Sequence, residues 1–589
     1  MRILTAGLAF SFLLLLSACG GGGSGTQPVN SVSLTLASPS GLIFTGQSGT
    51  TINLTVSRQG TVGNVTLQVQ GLPAGAAADI TSPNSSNAGS ITFMAPTAAA
   101  ATYPLTVTAS DGSVSDSATF SLVVGAVAQI GATSNGPFQL AMATSFQPAE
   151  WDYQFFTLNP TATTTLQNLQ SQHTRLQGIS GGVPQKTLAA WDFTVLDAIT
   201  QPVLGVGDHS PEFQIAKGPP TLYTGNDSNN SFRDLTFQEF GDYSQELVRY
   251  YNTGGFTSGD GAFHISPAYP QDVITWWGIY NEPNINNKLT PQQYVDLYNV
   301  TVPQMQAVDP SLKYVALELA DFGSEPQNWV PPFVNGVTAH VDVMATHFYS
   351  TCNQKDNDAT IFATIPGFIS DVRFFYTQMA TNPALANVPL WVTENNVNAD
   401  FDKGGGISAC NGGAFVTDLR GSSAFFAAWR PYVFSQFGKA GVEALYHWDF
   451  DADKQYGEVD YNTGAFQLSY WVDYWLARMF PSPPGATLLD YTATDKTDLE
   501  ILPVRNADNS VTVMVANYAL HSAGDNNGPG SPRTVQIDTS AFGAFASASL
   551  LTIDASTNVA TGPTATSVTP AAQINITLNG YGVAFLTLK

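Results

Sequence analysis

Basic residues are scarce in this chain of 589 residues: 21 Lys plus Arg stand against 45 Asp plus Glu, a formal charge of −24. No basic patch could neutralise a run of phosphates, which excludes a nucleic-acid partner. The same balance disfavours strongly anionic substrates. Charged residues of both signs make up only 11% of the chain. Ser, Thr, Asn and Gly take their place on much of the surface. Cysteine is rare too, with three residues, Cys19, Cys352 and Cys410. The scattered histidines lack zinc spacing, so no metal centre is expected. The run Gly178-Ile179-Ser180-Gly181-Gly182 has no Lys-Ser/Thr of a phosphate loop, which argues against a nucleotide cofactor. No other cofactor is implied. Beyond the N-terminus no stretch is long and apolar enough to cross a bilayer. There is no internal repeat and no long run of charge.

The N-terminus reads as a targeting segment. Arg2 precedes an apolar run over 6–16, too short for a stable transmembrane helix, and then Leu16-Ser17-Ala18-Cys19. Small residues before a cysteine resemble the lipobox of bacterial lipoproteins. That resemblance implies a signal peptide over 1–18, lipidation of Cys19, and an exported protein held to a membrane by its N-terminal lipid. The Gly-rich stretch 19–30 then serves as a flexible tether. Cys352 and Cys410 remain, and an oxidising compartment favours a disulfide between them.

Three patterns follow along the chain. Over 31–126 short apolar alternations such as Val32, Leu34, Leu36 and Ile52, Leu54, Val56 are separated by Gly, Pro, Ser and Asn. They predict a β-sandwich module. Its Gly71-Leu72-Pro73-Ala74-Gly75 turn resembles bacterial immunoglobulin-like modules, with a spacer role favoured over carbohydrate binding. Over 127–482 strands alternate with helices, the pattern of a parallel β/α fold. Strands are expected to end near Ala143, Gln177, Gly207, Tyr280, Leu319, Phe348, Thr393 and Trp448, eight in all, the number of a closed (β/α)8 TIM barrel. Thr290 and Pro291 mark one helix start. Over 483–589 short strands return as a C-terminal β-sandwich.

Two glutamates end apolar strands. Glu282 stands in Trp276-Trp277-Gly278-Ile279-Tyr280-Asn281-Glu282-Pro283, and Glu394 in Leu390-Trp391-Val392-Thr393-Glu394-Asn395. The C-terminal ends of barrel strands carry catalytic groups. Glycoside hydrolysis needs two carboxyl groups, one to protonate the leaving oxygen and one to attack or support the anomeric carbon. Glu282 suits the acid/base and Glu394 the nucleophile. Asn281 is placed to donate to a sugar hydroxyl.

The chain here resembles clan A of the glycoside hydrolases, and within it family 39. The likeness extends through Trp191-Asp192-Phe193, the stretch 202–213, the segment Ala307-Val308-Asp309-Pro310-Ser311-Leu312-Lys313, and Val341-Asp342-Val343-Met344-Ala345-Thr346-His347-Phe348-Tyr349. It covers roughly 139–589 and not the N-terminal module. It implies a retaining double displacement on a carbohydrate, β-xylosidase-like or on another glycan. Its carboxyl groups would stand about 5–5.5 Å apart. It implies that Arg175 orients the nucleophile and that Tyr349 bonds it. Asn395 stands where the family usually has Trp or Tyr.

Other residues carry two readings each. His347, His209 and Trp448 fit substrate contacts, with Trp448 as the apolar floor under a sugar ring; each could equally be structural. Trp277 reads as barrel packing, and Glu318 competes as a third functional carboxylate. Asp449, Asp451 and Asp453 have a calcium-like alternation, but Lys454 stands where the tight turn needs glycine. They read as an acidic rim. The alternative to an enzyme is a surface glycan-binding or adhesion lipoprotein whose barrel has lost catalysis.

Overall fold

The computed structural model describes residues 29–147, 152–178, 182–207, 210–286, 289–481 and 485–589. Cys19, the signal segment and nearly all of the tether lie outside the described residues, as does His209.

The chain forms two compact units. The first is antiparallel β-structure. Strands Ser31–Leu36, Thr50–Gln59, Ala88–Met94 and Ala77–Thr81 pair in that order, and Thr66–Gln70 pairs with Ala101–Ser110. Burial alternates along Thr50–Gln59, so Ile52, Leu54 and Val56 point into the core with Ile91, Phe93, Val107 and Phe120.

The second unit is a closed barrel of eight parallel strands with a β-domain packed against it. The strands in order are Ala141–Phe146, Thr174–Gln177, Glu212–Ile215, Trp276–Ile279, Lys313–Ala320, Val343–Thr351, Leu390–Asn398 and Ala444–His447, the last pairing back to the first. The third strand lies later than the sequence suggested. The segment expected to end it at Gly207 is a helix, Thr194–Val206, closed by Gly207 at φ +80°. Leu196, Ile199, Val203 and Leu204 form its buried face, a helical spacing that the local run Val203-Leu204-Gly205-Val206 conceals. The helix Pro291–Val308 begins as expected: Thr290 and Gln293 form a reciprocal capping box, with Pro291 in the first turn.

The C-terminal β-domain borrows a strand from before the barrel. Residues over 127–137, expected in the barrel, belong to the strand Ser115–Pro137, which pairs antiparallel with Thr487–Ala493 and parallel with Arg533–Asp538. The domain packs on the helix Ala424–Ala440. Gln436 donates to Glu500 at 2.9 Å and Lys439 donates to the carbonyl of Ile501 at 2.8 Å. Leu502, Met514 and Phe585 join the same apolar core as the barrel helices.

The barrel interior changes character along its axis. Toward the N-terminal ends of the strands, Trp391 and Tyr446 pack with Val315, Val343 and Ala345. Higher up, Arg175, Glu212, Gln214 and Glu318 fill the same space, all fully or almost fully buried. Gly278 of the fourth strand makes room for them. A Cβ there would collide with the Glu318 carboxylate and stand 2.8 Å from Gln214 Cγ.

Candidate active site

The ends of strands four to seven are bent to present polar groups. Tyr280 and Glu282 adopt positive φ, +67° and +47°, turning the chain out of the fourth strand so that Glu282 is half-buried at the barrel mouth. Such residues cost of order 1–3 kcal/mol each and persist only where the surroundings enforce them. The fifth strand carries a bulge between Ala316 and Leu319, where Leu317 and Glu318 also have positive φ. Between strands six and seven the register shifts at Thr346/His347, which sets Glu394 opposite His347. Bulges re-aim side chains in this way beside active sites.

These bends bring Glu282, His347 and Glu394 together. One oxygen of each carboxyl and a ring nitrogen of His347 lie within 4.8 Å of one another. His347 Nδ1 is 3.0 Å from Glu282 Oε1 and 3.5 Å from Glu394 Oε2. Tyr349 donates to Glu394 Oε2 at 2.8 Å, and Arg175 Nη1 donates to Glu394 Oε1 at 2.9 Å. The other end of the Arg175 guanidinium donates to Asn281 Oδ1 at 2.8 Å and to Glu318. Glu318 therefore lies beneath the guanidinium in the barrel core rather than in the cleft. Trp448 is half-buried just past the eighth strand, its ring centroid 6.0 Å from the Arg175 guanidinium carbon.

The charges respond to this crowding. Burial alone would lower the His347 pKa. Glu394, then hydrogen bonds to Glu282 and Glu318, outweigh it and push the ring up to about 9. Burial raises the Glu394 carboxyl, against the pull of His347 and Arg175, and Glu282 adds to the rise. Burial, then Glu394, holds the Tyr349 hydroxyl well above the usual phenol range, so it stays a donor. Burial and then Glu318 push Glu212 well above the carboxylate range.

No family model matches the sequence, and no curated protein does. Solved structures match in fold over 79% of the chain. One is the catalytic domain of a GH30 xylanase C from Talaromyces cellulolyticus, at 12% identity and TM-score 0.53 over 100% of that chain. A second is the GH39 enzyme from Xanthomonas axonopodis pv. citri, at 15% identity and TM-score 0.53 over 97% of that chain. A third is the thermostable GH51 α-L-arabinofuranosidase from Thermotoga petrophila RKU-1, at 12% identity and TM-score 0.55 over 100% of that chain. The shared fold is the TIM barrel. At these identities the likeness is one of fold.

The other residues singled out from the sequence fall as follows. His209 precedes the third strand instead of following it, because that strand is Glu212–Ile215. Trp277 is fully buried and packs on Phe213, its indole N–H donating to the carbonyl of Ile274. Cys352 and Cys410 are joined in a disulfide, their Cα atoms 5.9 Å apart, between the connections that follow strands six and seven. Asp449 and Asp451 are not a solvated rim. Both are buried: burial, then Asp152, raises the Asp449 carboxyl well above the usual range, and burial, then Asp449, does the same to Asp451. Glu212 and Gln214 escaped the sequence reading. Their alternation with Phe213 and Ile215 was the available signal for a strand with polar residues facing the barrel interior.

Proposed function

We propose that the chain is a retaining glycoside hydrolase of clan A, with Glu394 as nucleophile and Glu282 as acid/base. The observation that carries this reading is the approach of the two carboxyl groups at the mouth of one barrel. An inverting enzyme leaves about 6.5–9.5 Å between its carboxyls for a water, whereas a retaining one closes them to about 5–5.5 Å. Here one oxygen of Glu282 lies within 4.8 Å of one oxygen of Glu394, which favours the closer spacing.

Glu394 attacks the anomeric carbon while Glu282 delivers a proton to the departing oxygen. Two donors, Arg175 and Tyr349, fix the attacking carboxylate. His347 Nδ1 stands 3.0 Å from Glu282 Oε1, so the ring orients the carboxyl that moves the proton. Water then attacks the glycosyl-enzyme, losing its proton to Glu282. Arg175 holds the side-chain oxygen of Asn281, whose amide nitrogen donates to Glu282 Oε2 at 3.4 Å and carries a second hydrogen for a sugar hydroxyl. Trp448 supplies an apolar wall. Some structures of like fold are named as a xylanase and an α-L-arabinofuranosidase, and the family 39 motifs favour a β-xylosidase-like or polysaccharide-degrading activity.

The N-terminal module reads as an immunoglobulin-like spacer, and the lipobox at Cys19 as a lipid anchor on the membrane. Replacing Cys19 by Ala should move the protein from the detergent phase to the soluble fraction. A panel of aryl β-xylosides, aryl α-L-arabinofuranosides and soluble polysaccharides tests the activity. Glu394→Ala should abolish turnover, and proton NMR of the first product should show retained anomeric configuration. Equal turnover by wild type and Glu394→Ala, or an inverted product, refutes the assignment.

A further inference from the structure

A second cavity, of about 280 Å³, lies on the flank of the barrel. Its walls come from the connection after the second strand, the connection after the third, the helix Gln238–Asn252 and the segment 256–259 that follows it. None of its lining residues belongs to the group around Glu282 and Glu394. We infer that this cavity is a second glycan-binding site that takes a neutral sugar unit.

The lining has the two surfaces that a sugar ring needs. One is apolar. Leu188 is exposed, Phe256 is buried, and Trp191 is half-buried between them in exposure. Trp191 is held nearly parallel to both Phe193 and Tyr243, at 10° and 16°, with ring centroids 5.8 and 5.4 Å away. Phe193 in turn stacks on Tyr250 at 3.5 Å. The aromatic wall is therefore rigid before a ligand arrives, which lowers the ordering cost of binding. Sugars present C–H faces that pack on such rings.

The other surface is made of hydrogen-bond acceptors. Gln185 Oε1 and Glu246 Oε2 are buried and have no hydrogen-bond partner. An orphaned buried acceptor carries an unrepaid desolvation cost, so a ligand that donates to it gains by that pairing. The Asp242 carboxylate lines the same space and is exposed. The two nearby arginines are already engaged: Arg233 holds Glu239 through two contacts of 2.7 Å, and Arg249 holds Glu246 at 2.7 Å. Acceptors in excess call for a ligand rich in donors, which hydroxyl groups supply.

Two other ligand classes fit less well. An anion would face Glu239, Asp242 and Glu246. A metal ion needs converging ligands, and among the described residues these three acids do not bring their oxygens within 4.8 Å of one another. The volume is near the lower end for ligand pockets, which suits one small ring.

The inference takes from the preceding section only that the chain meets glycans. The test is affinity electrophoresis of the full chain through gels carrying arabinoxylan, arabinan or mixed-linkage β-glucan, with calorimetric titration of oligosaccharides from the glycan that retards it. Glu394→Gln, Gln185→Ala, Trp191→Ala and Asp242→Lys are compared with wild type. Two sites should titrate in wild type and in Glu394→Gln. Gln185→Ala and Asp242→Lys should lose one site, or weaken it at least tenfold, while turnover stays within twofold. Trp191→Ala should do the same if its thermal midpoint shows it folded. Retardation within twofold of wild type in both Gln185→Ala and Asp242→Lys overturns the site. So does the absence of retardation by all three glycans, or calcium binding with no glycan binding. Loss of turnover without loss of the second site, or the reverse, tells the two proposals apart.

Discussion

Arg430 donates to the side-chain oxygen of Asn395, the residue directly after Glu394. The same guanidinium grips Asp473 through Nε at 3.0 Å, and Asp473 receives His447 Nδ1 at 2.7 Å. Asn395 returns its amide to the carbonyl of Phe348 at 2.7 Å, in the neighbouring strand. The end of the seventh strand is thus fastened from behind by a fully buried polar chain. An aromatic residue at this position would displace Arg430.

Asn395→Ala should cost about 1–3 kcal/mol, because one donor of Arg430 is left buried and unpaired. Asn395→Tyr should cost more, since overpacking adds a similar amount. Urea unfolding midpoints measure both. An unchanged midpoint in Asn395→Ala would show that the contact carries no stability.

Arg175→Met should be among the most damaging single changes in the barrel. It removes the guanidinium from Glu318 and Glu394, leaving His347 as their remaining cationic neighbour, and removing one partner of a buried pair costs about 3–5 kcal/mol. Arg175→Lys restores a charge but not the planar fork that reaches Asn281, Glu318 and Glu394 together. Lys should therefore recover part of the thermal midpoint and little of the turnover.

Gly278→Ala adds one methyl group to the barrel interior, against Glu318, Gln214 and Glu212. The expected cost is about 1–3 kcal/mol. Because Glu318 holds Arg175, kcat should fall further than the stability loss alone explains. Far-ultraviolet dichroism with steady-state kinetics separates the two. A variant with wild-type kcat would show that the carboxylate cluster shifts freely.

His347 links stability to pH. Its folded pKa of about 9 stands above the ordinary value of 6.5, so its contribution is complete below about pH 6.5. It is lost as pH rises through about 9. The unfolding midpoint should therefore decline over that window, and His347→Gln should flatten the decline. An identical slope in the variant would place the titration elsewhere.

Glu282 and Glu394 were legible because each carboxylate ends a run of apolar, β-branched and aromatic residues that only a buried strand explains. The third strand was not, because its Glu212 and Gln214 face an interior that is polar at that level, against the expectation of apolar runs in parallel sheets. Misplacing that strand also misplaced His209. The strand Ser115–Pro137 continues its apolar run well past the point where the N-terminal module seemed to close. Nothing local reveals that its later half pairs with a strand more than 350 residues away, at Thr487–Ala493. Asp449 and Asp451 looked like surface acids, and only the packing of the eighth-strand connection shows them buried.

The bond between Cys352 and Cys410 gives the molecule a history. It fastens the connection after the sixth strand to the one after the seventh, either side of the loops that leave Tyr349 and Glu394. Protein matured where thiols oxidise and protein made in a reducing cytosol are consequently two different preparations at this wall of the cleft. Assays of either one report on how the chain was made as well as on what it cleaves.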